Sequence, residues 1–169
     1  MSQNKRILIA VVILIVLIGI VVGVDAIRRA TSGGGKTAAG EPTLVPGGVP
    51  IRLDGRLVGS FTPGDLEGLE EASFVDAEEG KTQDGWLLKE VLLRHVDPGD
   101  LQADSTITIR SSSRDKTATV TWAETEDEDN YVMFDLSNQG TLKLVSVLDK
   151  LDTRDEWVQV VDSIEITSP

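Results

Sequence analysis

Hydrophobic side chains are distributed along this chain in two different ways. Residues 7–24 form one uninterrupted apolar run, ILIAVVILIVLIGIVVGV, without a charged side chain. From Val49 onward, apolar residues instead recur at the spacings of strands and short helices. A stretch rich in glycine, proline and small residues separates the two. The pattern predicts an N-terminal tail (1–6), a transmembrane anchor (7–27), a flexible linker (28–48) and a folded domain (49–169).

The apolar run is long enough to cross a bilayer. As a helix, the 18 residues of Ile7–Val24 span about 27 Å, close to the thickness of the hydrocarbon core. A cleaved signal peptide is the alternative, but the apolar part of such peptides usually has only about 7–15 residues. We therefore expect an uncleaved, single-pass signal anchor in the cell membrane.

The sequence indicates less directly on which side of the membrane the domain lies. Basic residues flank the anchor almost equally, with Lys5 and Arg6 before it and Arg28 and Arg29 after it. A short tail before the first apolar segment usually stays inside, which places the domain on the extracytoplasmic side. Within the anchor, Gly19 and Gly23 have the spacing that lets two membrane helices pack closely, although a run rich in Val, Ile and Gly also gives this spacing by chance.

Local patterns in the domain predict both strands and helices. Two apolar runs around Asp54-Gly55 predict a β-hairpin over 49–61. Thr62 followed by proline predicts a capped short helix. Trp86–Val96 predicts a longer helix, with Leu88, Val91, Leu92 and His95 on one face. The remaining apolar runs predict strands at 72–77, 106–110, 117–122, 131–136, 142–148, 157–160 and 163–166.

This order of elements predicts an α+β domain. Two or three short helices would cover a mainly antiparallel or mixed sheet, with 142–148 as a central strand because it is apolar on both faces. Asp162 interrupts the alternation near the end and predicts a bend between the last two strands.

Several segments together resemble the sulfite-oxidase-type molybdopterin-binding domain. They are IRLDGRLVGSFTPGDLEGL (51–69), GWLLKEVLLRHV (85–96), ITIRSSSRDKTATVTW (107–122) and the terminal WVQVVDSIEI (157–166). The resemblance implies that fold for most of residues 49–169. It also implies a cysteine ligand to molybdenum in catalytic members, whereas this chain contains no cysteine. The chain is therefore expected to be a degenerate member without the metal chemistry, and no cofactor is expected, although molybdopterin is not excluded.

The net charge of the chain after the anchor limits the kinds of molecule that the domain is expected to bind. From Ala30 onward there are 12 Lys and Arg against 27 Asp and Glu, a net charge of −15. A surface this acidic repels nucleic acid and anionic lipid headgroups and favours cations or basic proteins. Nucleic-acid binding is not expected. The GGGKT segment at 33–37 has the end of a phosphate-binding loop, but Ala30 stands where the pattern needs a glycine.

Four groups of residues are candidates for a site. The basic side chains of Arg110, Arg114 and Lys116 share one predicted turn and are candidates for an anion site, unless they pair with neighbouring carboxylates such as Asp115. The oxygen ligands of a weak divalent-cation site are offered by Glu124, Glu126, Asp127, Glu128 and Asp129, although a solvated acidic loop is the simpler interpretation.

The other two groups have structural interpretations. His95 is the only histidine, and its place on an apolar helix face is more typical of packing than of catalysis. Trp86, Trp122 and Trp157 are spread over three predicted elements, which favours core packing over an aromatic cleft. Because no complete catalytic constellation is present, we expect a non-catalytic binding or scaffolding domain, with a membrane-associated protein as its candidate partner. A cofactor-binding subunit of a membrane-associated oxidoreductase and a cation-binding surface domain are the alternatives.

Overall fold

Ten strands and two short helices make up the part of the chain that the computed structural model describes, residues 42–169. The strands are β1 (Val49–Leu53), β2 (Arg56–Phe61), β3 (Glu71–Val75), β4 (Thr82–Leu87), β5 (Thr106–Ser111), β6 (Lys116–Thr121), β7 (Met133–Leu136), β8 (Leu142–Val145), β9 (Val158–Gln159) and β10 (Ser163–Thr167). The helices are α1 (Leu88–Leu93) and α2 (Trp122–Glu126), and single 3-10 turns lie at Pro63–Asp65, Pro98–Asp100 and Glu128–Asn130. The domain is therefore mostly sheet with two short helices, which confirms the predicted α+β class.

The strands form two sheets, whereas the sequence predicts one. Sheet A has the order β2-β1-β10-β5-β6, and sheet B has the order β3-β4-β7-β8-β9. All pairs are antiparallel except β1 with β10, which makes sheet A mixed. The alternation of apolar residues predicts which face of a strand is buried, but it does not predict which sheet the strand joins. The number of sheets was therefore not predictable from periodicity.

The main core lies between the two sheets. Sheet A contributes the fully buried Ile51, Ile109 and Ile164, and sheet B contributes Phe134 and Leu144. The rings of Phe61 and Phe134 meet across the layer with centroids 5.8 Å apart. Helix α1 closes one side of this core with Leu88, Val91 and Leu92, the three aliphatic residues of the predicted stripe.

Sheet B also has a second buried face. Phe74, Met133, Val145 and Trp157 form a small apolar cluster on the side away from sheet A. A row of three polar residues continues this face, since Asp135, Lys143 and Gln159 are aligned partners on β7, β8 and β9.

The predicted hairpin is confirmed by local geometry. Asp54 and Gly55 connect β1 to β2 with φ angles of 50° and 79°, the left-handed values that a two-residue turn requires. The short helix predicted after Thr62 is a single 3-10 turn. The backbone N–H and the hydroxyl group of Thr62 both donate to the Asp65 carboxylate, over 2.7 Å and 2.8 Å, so Asp65 rather than the Thr62 side chain is the acceptor at this end. The bend predicted at Asp162 is also present, where the chain leaves sheet B after β9 and enters sheet A as β10.

The predicted helix over Trp86–Val96 was wrong at both ends, since the helix spans only Leu88–Leu93. Trp86 and Leu87 belong to β4 and pair with Phe134 and Met133, so the helix begins only at Leu88. Trp86 and Phe134 are both buried on the core face, and this packing outweighs the weak helical preference of the segment. Its indole Nε1 is buried and has no hydrogen-bond partner among the described residues.

Two other segments differ from their predicted form. Strand β8 is central, between β7 and β9, but it ends at Val145 rather than at residue 148. The acidic segment 124–129 was expected to be a loop, whereas it forms the end of α2 and a 3-10 turn. Thr121 caps α2 reciprocally with Glu124, a capping box that the sequence reading missed.

Residues 42–169 contain no helix long and apolar enough to cross a membrane. The predicted anchor Ile7–Val24, its Gly19 and Gly23 pair and most of the predicted linker lie outside the described residues. The last part of that linker, from Pro42, belongs to the same compact unit as the strands.

Candidate functional site

A polar groove lies where turns from both sheets meet. It has a volume of about 430 Å³, and its lining residues come from the β5–β6 turn, the β7–β8 hairpin and the end of β9. They are Arg114, Asp135, Leu136, Ser137, Asn138, Gln139, Thr141, Lys143, Gln159 and Val160. This volume falls within the range of small-molecule sites, at about 300–1,000 Å³.

Hydrogen-bond donors dominate the walls of the groove. Within residues 42–169, the side chains of Arg114, Asn138, Gln139 and Gln159 form no hydrogen bond or ion pair. A guanidinium carries five N–H donors and each carboxamide two, so the groove offers donors that the described protein does not use.

Two of the lining residues, Lys143 and Asp135, are held by contacts within the domain. The ammonium of Lys143 lies 2.7 Å from the Asp135 carboxylate and donates to Gln83 Oε1 over 2.9 Å. The same ammonium lies 5.1 Å from the centroid of the Trp157 ring. Because Lys143 and Asp135 neutralise each other, Arg114 leaves the groove with a net positive charge in an acidic domain.

Strained backbone borders the groove at Val160. Its φ is 58°, in the left-handed region that a β-branched residue rarely adopts. Hydrogen bonds on both sheets hold the segment, from Val161 N–H to the Leu142 carbonyl and from Asp162 N–H to the Arg110 carbonyl. Such conformations cost about 1–3 kcal/mol and are often found at binding sites.

This arrangement suits binding better than catalysis. A cationic fork surrounded by amide donors matches the oxygens of a carboxylate, sulfate or phosphate group. The hydroxyl groups of Ser137 and Thr141 share a hydrogen bond of 2.7 Å, and none of the groove's lining residues is a histidine that could activate either as a nucleophile.

The predicted basic cluster is divided by the structure. Arg114 lines the groove, whereas the ammonium of Lys116 donates to the carbonyl oxygen of Asp155. Arg110 is exposed on β5 and is not among the groove's lining residues. Within residues 42–169, neither arginine forms the ion pair with a carboxylate, such as Asp115, that the alternative interpretation required.

The acidic candidates do not converge on one point. Glu124 accepts from the Thr121 N–H and pairs with Lys150 over 2.6 Å, and hydrogen bonding to these partners keeps its pKa low despite partial burial. Glu128 pairs with Lys89, and Asp127 caps the following turn. Glu126 and Asp129 are exposed. Within residues 42–169, no group of three or more acidic or histidine side chains is placed to hold a metal ion.

His95 is a half-buried packing residue at the end of α1. Its ring lies 6.3 Å from that of Phe61, and burial lowers its pKa, with a further lowering from Arg94 and an opposing contribution from Asp65. The three tryptophans do not share a cleft. Trp86 and Trp122 pack in the main core, and Trp157 packs in the second cluster.

One polar network was missed by the sequence reading. Asp76 is 3% exposed and accepts from the backbone N–H groups of Glu78 and Glu79 and from Arg154 Nη2 at 2.8 Å. Arg154 Nη1 also lies 2.8 Å from Glu79. The hydrogen bond from the Glu79 backbone, followed by that from Arg154, lowers the pKa of Asp76 to about 2. The D-x-E-E-G turn was visible in the sequence, but its partner is 78 residues away.

Replacing Asp76 by Asn should therefore change the acid stability of the domain. A carboxylate whose folded pKa is about 2 stabilises the fold fully above its usual pKa of 3.8, and this contribution is lost as the pH falls from about 4 toward 2. D76N should lower the thermal midpoint at neutral pH and reduce proton uptake on unfolding, by up to about one proton, in that window. Thermal unfolding between pH 2 and 7 measures both effects. An unchanged pH profile would contradict the assignment.

Comparison with known proteins does not place the chain in a family. No protein-family model matches the chain, and the curated sequences that were compared with it give no match.

Proposed function

We propose that this chain is a membrane-anchored, non-catalytic binding protein whose domain lies on the extracytoplasmic side. Its binding site is the groove around Arg114, and its ligand carries an oxyanion such as a carboxylate, sulfate or phosphate group. The observation that carries this proposal is the cluster of unused donors around Arg114 in a domain of strongly negative charge.

Electrostatics favour this groove over other surfaces for an anion. Acidic side chains elsewhere keep anions away from the domain, so selectivity depends on the local field at the groove. The Lys143–Asp135 pair is held by contacts within the domain, and Arg114 with the three amides can reorient toward the ligand. Such a site binds without the proton transfers that catalysis would require.

The proposed fold is that of a degenerate molybdopterin-binding domain. In its support, the hairpin at 49–61, the helix after Trp86 and the pair β5–β6 occur in the order that the resemblance implies. The absence of cysteine removes the molybdenum ligand of catalytic members, which is why a binding role is proposed. The first alternative, a cofactor-binding subunit of an oxidoreductase, differs only in the identity of the anion, since a pterin cofactor carries phosphate.

Elemental and cofactor analysis of the full chain, purified from its native membrane, separates these two proposals. Metals are measured by mass spectrometry and pterin by fluorescence after oxidation. We expect neither molybdenum nor pterin in stoichiometric amount. Either one, present at one equivalent, would overturn the non-catalytic proposal and establish the alternative.

The groove itself is tested with simple anions. Sulfate, phosphate and succinate should each be titrated against the thermal midpoint of the full chain in detergent, because a ligand that prefers the folded state raises it. At least one should raise the midpoint, and Arg114→Ala should weaken that binding about tenfold or more, as expected for loss of a charge-assisted pair. Arg56→Ala, which removes an equally exposed guanidinium outside the groove, serves as the control.

Two results would contradict the groove proposal. One is an anion effect that R56A and R114A reduce equally, since this indicates general screening of charge. The other is stabilisation by calcium but by none of the anions, which would favour the divalent-cation alternative at Glu124–Asp129.

A further inference from the structure

We propose that the outer face of sheet A docks on the anionic surface of the lipid bilayer to which the chain is anchored. This inference rests on the proposed anchoring but concerns a different surface from the groove. Three independent features of the described residues point to the same face: the path of the leading segment, the position of the arginines without partners, and two exposed apolar side chains.

The chain approaches the domain along this face. Ser60 and its partner Pro50 point outward from sheet A, opposite to the buried pair Val49 and Phe61. The N–H of Val45 donates to Ser60 Oγ over 3.0 Å, so the segment before β1 lies against the outer side of β2. The described residues just before β1 therefore lie on this side of the domain.

Two large apolar side chains are exposed in the same leading segment. Leu44 is 49% exposed and Val45 is 42% exposed, and only three other large apolar residues in 42–169 are comparably exposed. Apolar side chains beside basic ones are the composition that enters the interface between headgroups and acyl chains.

The arginines of the domain are divided by sheet. Among residues 42–169, Arg154 forms ion pairs and Arg94 donates to the carbonyls of Asp65 and Gly68. The other four have no side-chain partner there, and all lie in the strands and turns of sheet A; they are Arg52, Arg56, Arg110 and Arg114. Arg52 and Arg110 point outward from the middle of the sheet.

Most outward neighbours of these two arginines carry hydroxyl groups, although the aligned partner of Arg52 on β10 is Glu165. The outward positions of β5, β6 and β10 carry Thr106, Thr108, Thr117, Thr119, Thr121, Ser163 and Thr167. Glu165 is the one carboxylate among the outward strand positions of sheet A, and it already accepts from the Gly55 N–H over 2.7 Å. The outward strand positions of sheet A therefore carry two arginines against one carboxylate, a local excess of positive charge in an acidic domain.

The chain between the proposed anchor and the domain is short enough to keep the outer face of sheet A close to the bilayer. Seventeen residues separate Val24 from Pro42, and a chain of this length spans at most about 60 Å. Docking is then an intramolecular step with a high effective concentration of lipid, so weak contacts suffice. Each arginine at an anionic surface contributes a factor of about 5 to the docked population at low salt.

The absence of cysteine allows a direct test on the full chain. Single cysteines are introduced at Thr119, on the proposed docking face, and at Ser73, exposed on sheet B. Each is labelled with a fluorophore, and the protein is reconstituted into vesicles of phosphatidylcholine with or without 30% phosphatidylglycerol and a spin-labelled quencher lipid. With phosphatidylglycerol, quenching should be several-fold stronger at position 119 than at position 73.

Charge variants then identify the contacts. In the Thr119→Cys background, combined R52A and R110A should reduce the docked-to-undocked ratio about 30-fold. The control variant Lys81→Ala, which removes an exposed cation outside sheet A, should leave quenching nearly unchanged. High salt should act like the double variant. Equal quenching at both positions, or quenching that ignores phosphatidylglycerol and the arginines, would overturn the docking proposal.

Flotation of the same vesicles tests the proposed anchoring separately from the proposed docking. Protein that stays with the vesicles through a high-salt, alkaline wash is anchored, so a negative quenching result then refutes docking alone. Protein that is washed off refutes the anchoring and the docking together.

Discussion

Gly85→Ala should remove a large part of the stability of the domain. A Cβ atom at this position would lie 2.0 Å from the Phe134 carbonyl oxygen, 2.7 Å from its carbonyl carbon and 3.1 Å from the Asp135 Cα. These atoms are backbone of the neighbouring strand and cannot rotate away, so β4 and β7 would have to separate. Trp86 and Leu87, which pair with β7 immediately beyond, would move with them. Overpacking of this kind costs about 3 kcal/mol or more, a large part of the stability of a typical domain.

Urea unfolding of the full chain, followed by tryptophan fluorescence, measures this loss. Gly64→Ala is the matched control, because its new methyl group would meet only Thr62 Oγ1 at 3.8 Å. G64A should change the free energy of unfolding by less than about 0.5 kcal/mol. If G85A were as stable as G64A, the close pairing of β4 with β7 would be incorrect.

Gly59→Ala is expected to have the next largest effect, of about 2 kcal/mol. A Cβ atom there would lie 2.5 Å from His95 Nδ1 and 2.9 Å from His95 Cβ. In contrast to Gly85, the obstacle is a side chain at the end of α1, so it can be removed by mutation. Combining G59A with His95→Ala should restore room, and the double variant should be about 1–2 kcal/mol more stable than the sum of the single losses predicts.

A double-mutant cycle on unfolding free energies tests this coupling. Glu90→Ala, on the same helix but not among the atoms near the added Cβ, provides the comparison cycle. G59A and E90A should add within about 0.5 kcal/mol. Additivity of G59A with H95A would show that His95 does not pack on Gly59.

These two glycines show which structural requirements could not be predicted from the sequence. The turn at Asp54-Gly55 was predictable because its left-handed backbone angles are a local requirement that the two residues satisfy by themselves. Gly85 and Gly59 have no such local signature, since each is required by a strand or helix distant in sequence. Trp86 was assigned to a helix for the same reason, because its partner Phe134 is what places it in a strand.

In the candidate groove, too, local properties were predictable from the sequence and contacts between distant segments were not. Arg114 was recognised as a basic side chain on a turn, which is a local property. Asn138, Gln139 and Gln159 were not recognised, because exposed amides become donors to one site only when the β5–β6 turn and the β7–β8 hairpin come together. Net charge likewise predicted an acidic surface, but it could not show that the arginines without partners lie on one sheet.

The parallel pairing of β1 with β10 sets the order in which the domain can be completed during synthesis. Hydrogen bonds join Asp54 to Ser168, 114 residues later, and β10 lies in the middle of sheet A. At a ribosomal rate of about 5–20 residues per second, the β1–β2 hairpin waits about 6–20 seconds for its central neighbour. During that interval β1 exposes an open edge, so the nascent chain is open to mispairing with other strands or to capture by a chaperone.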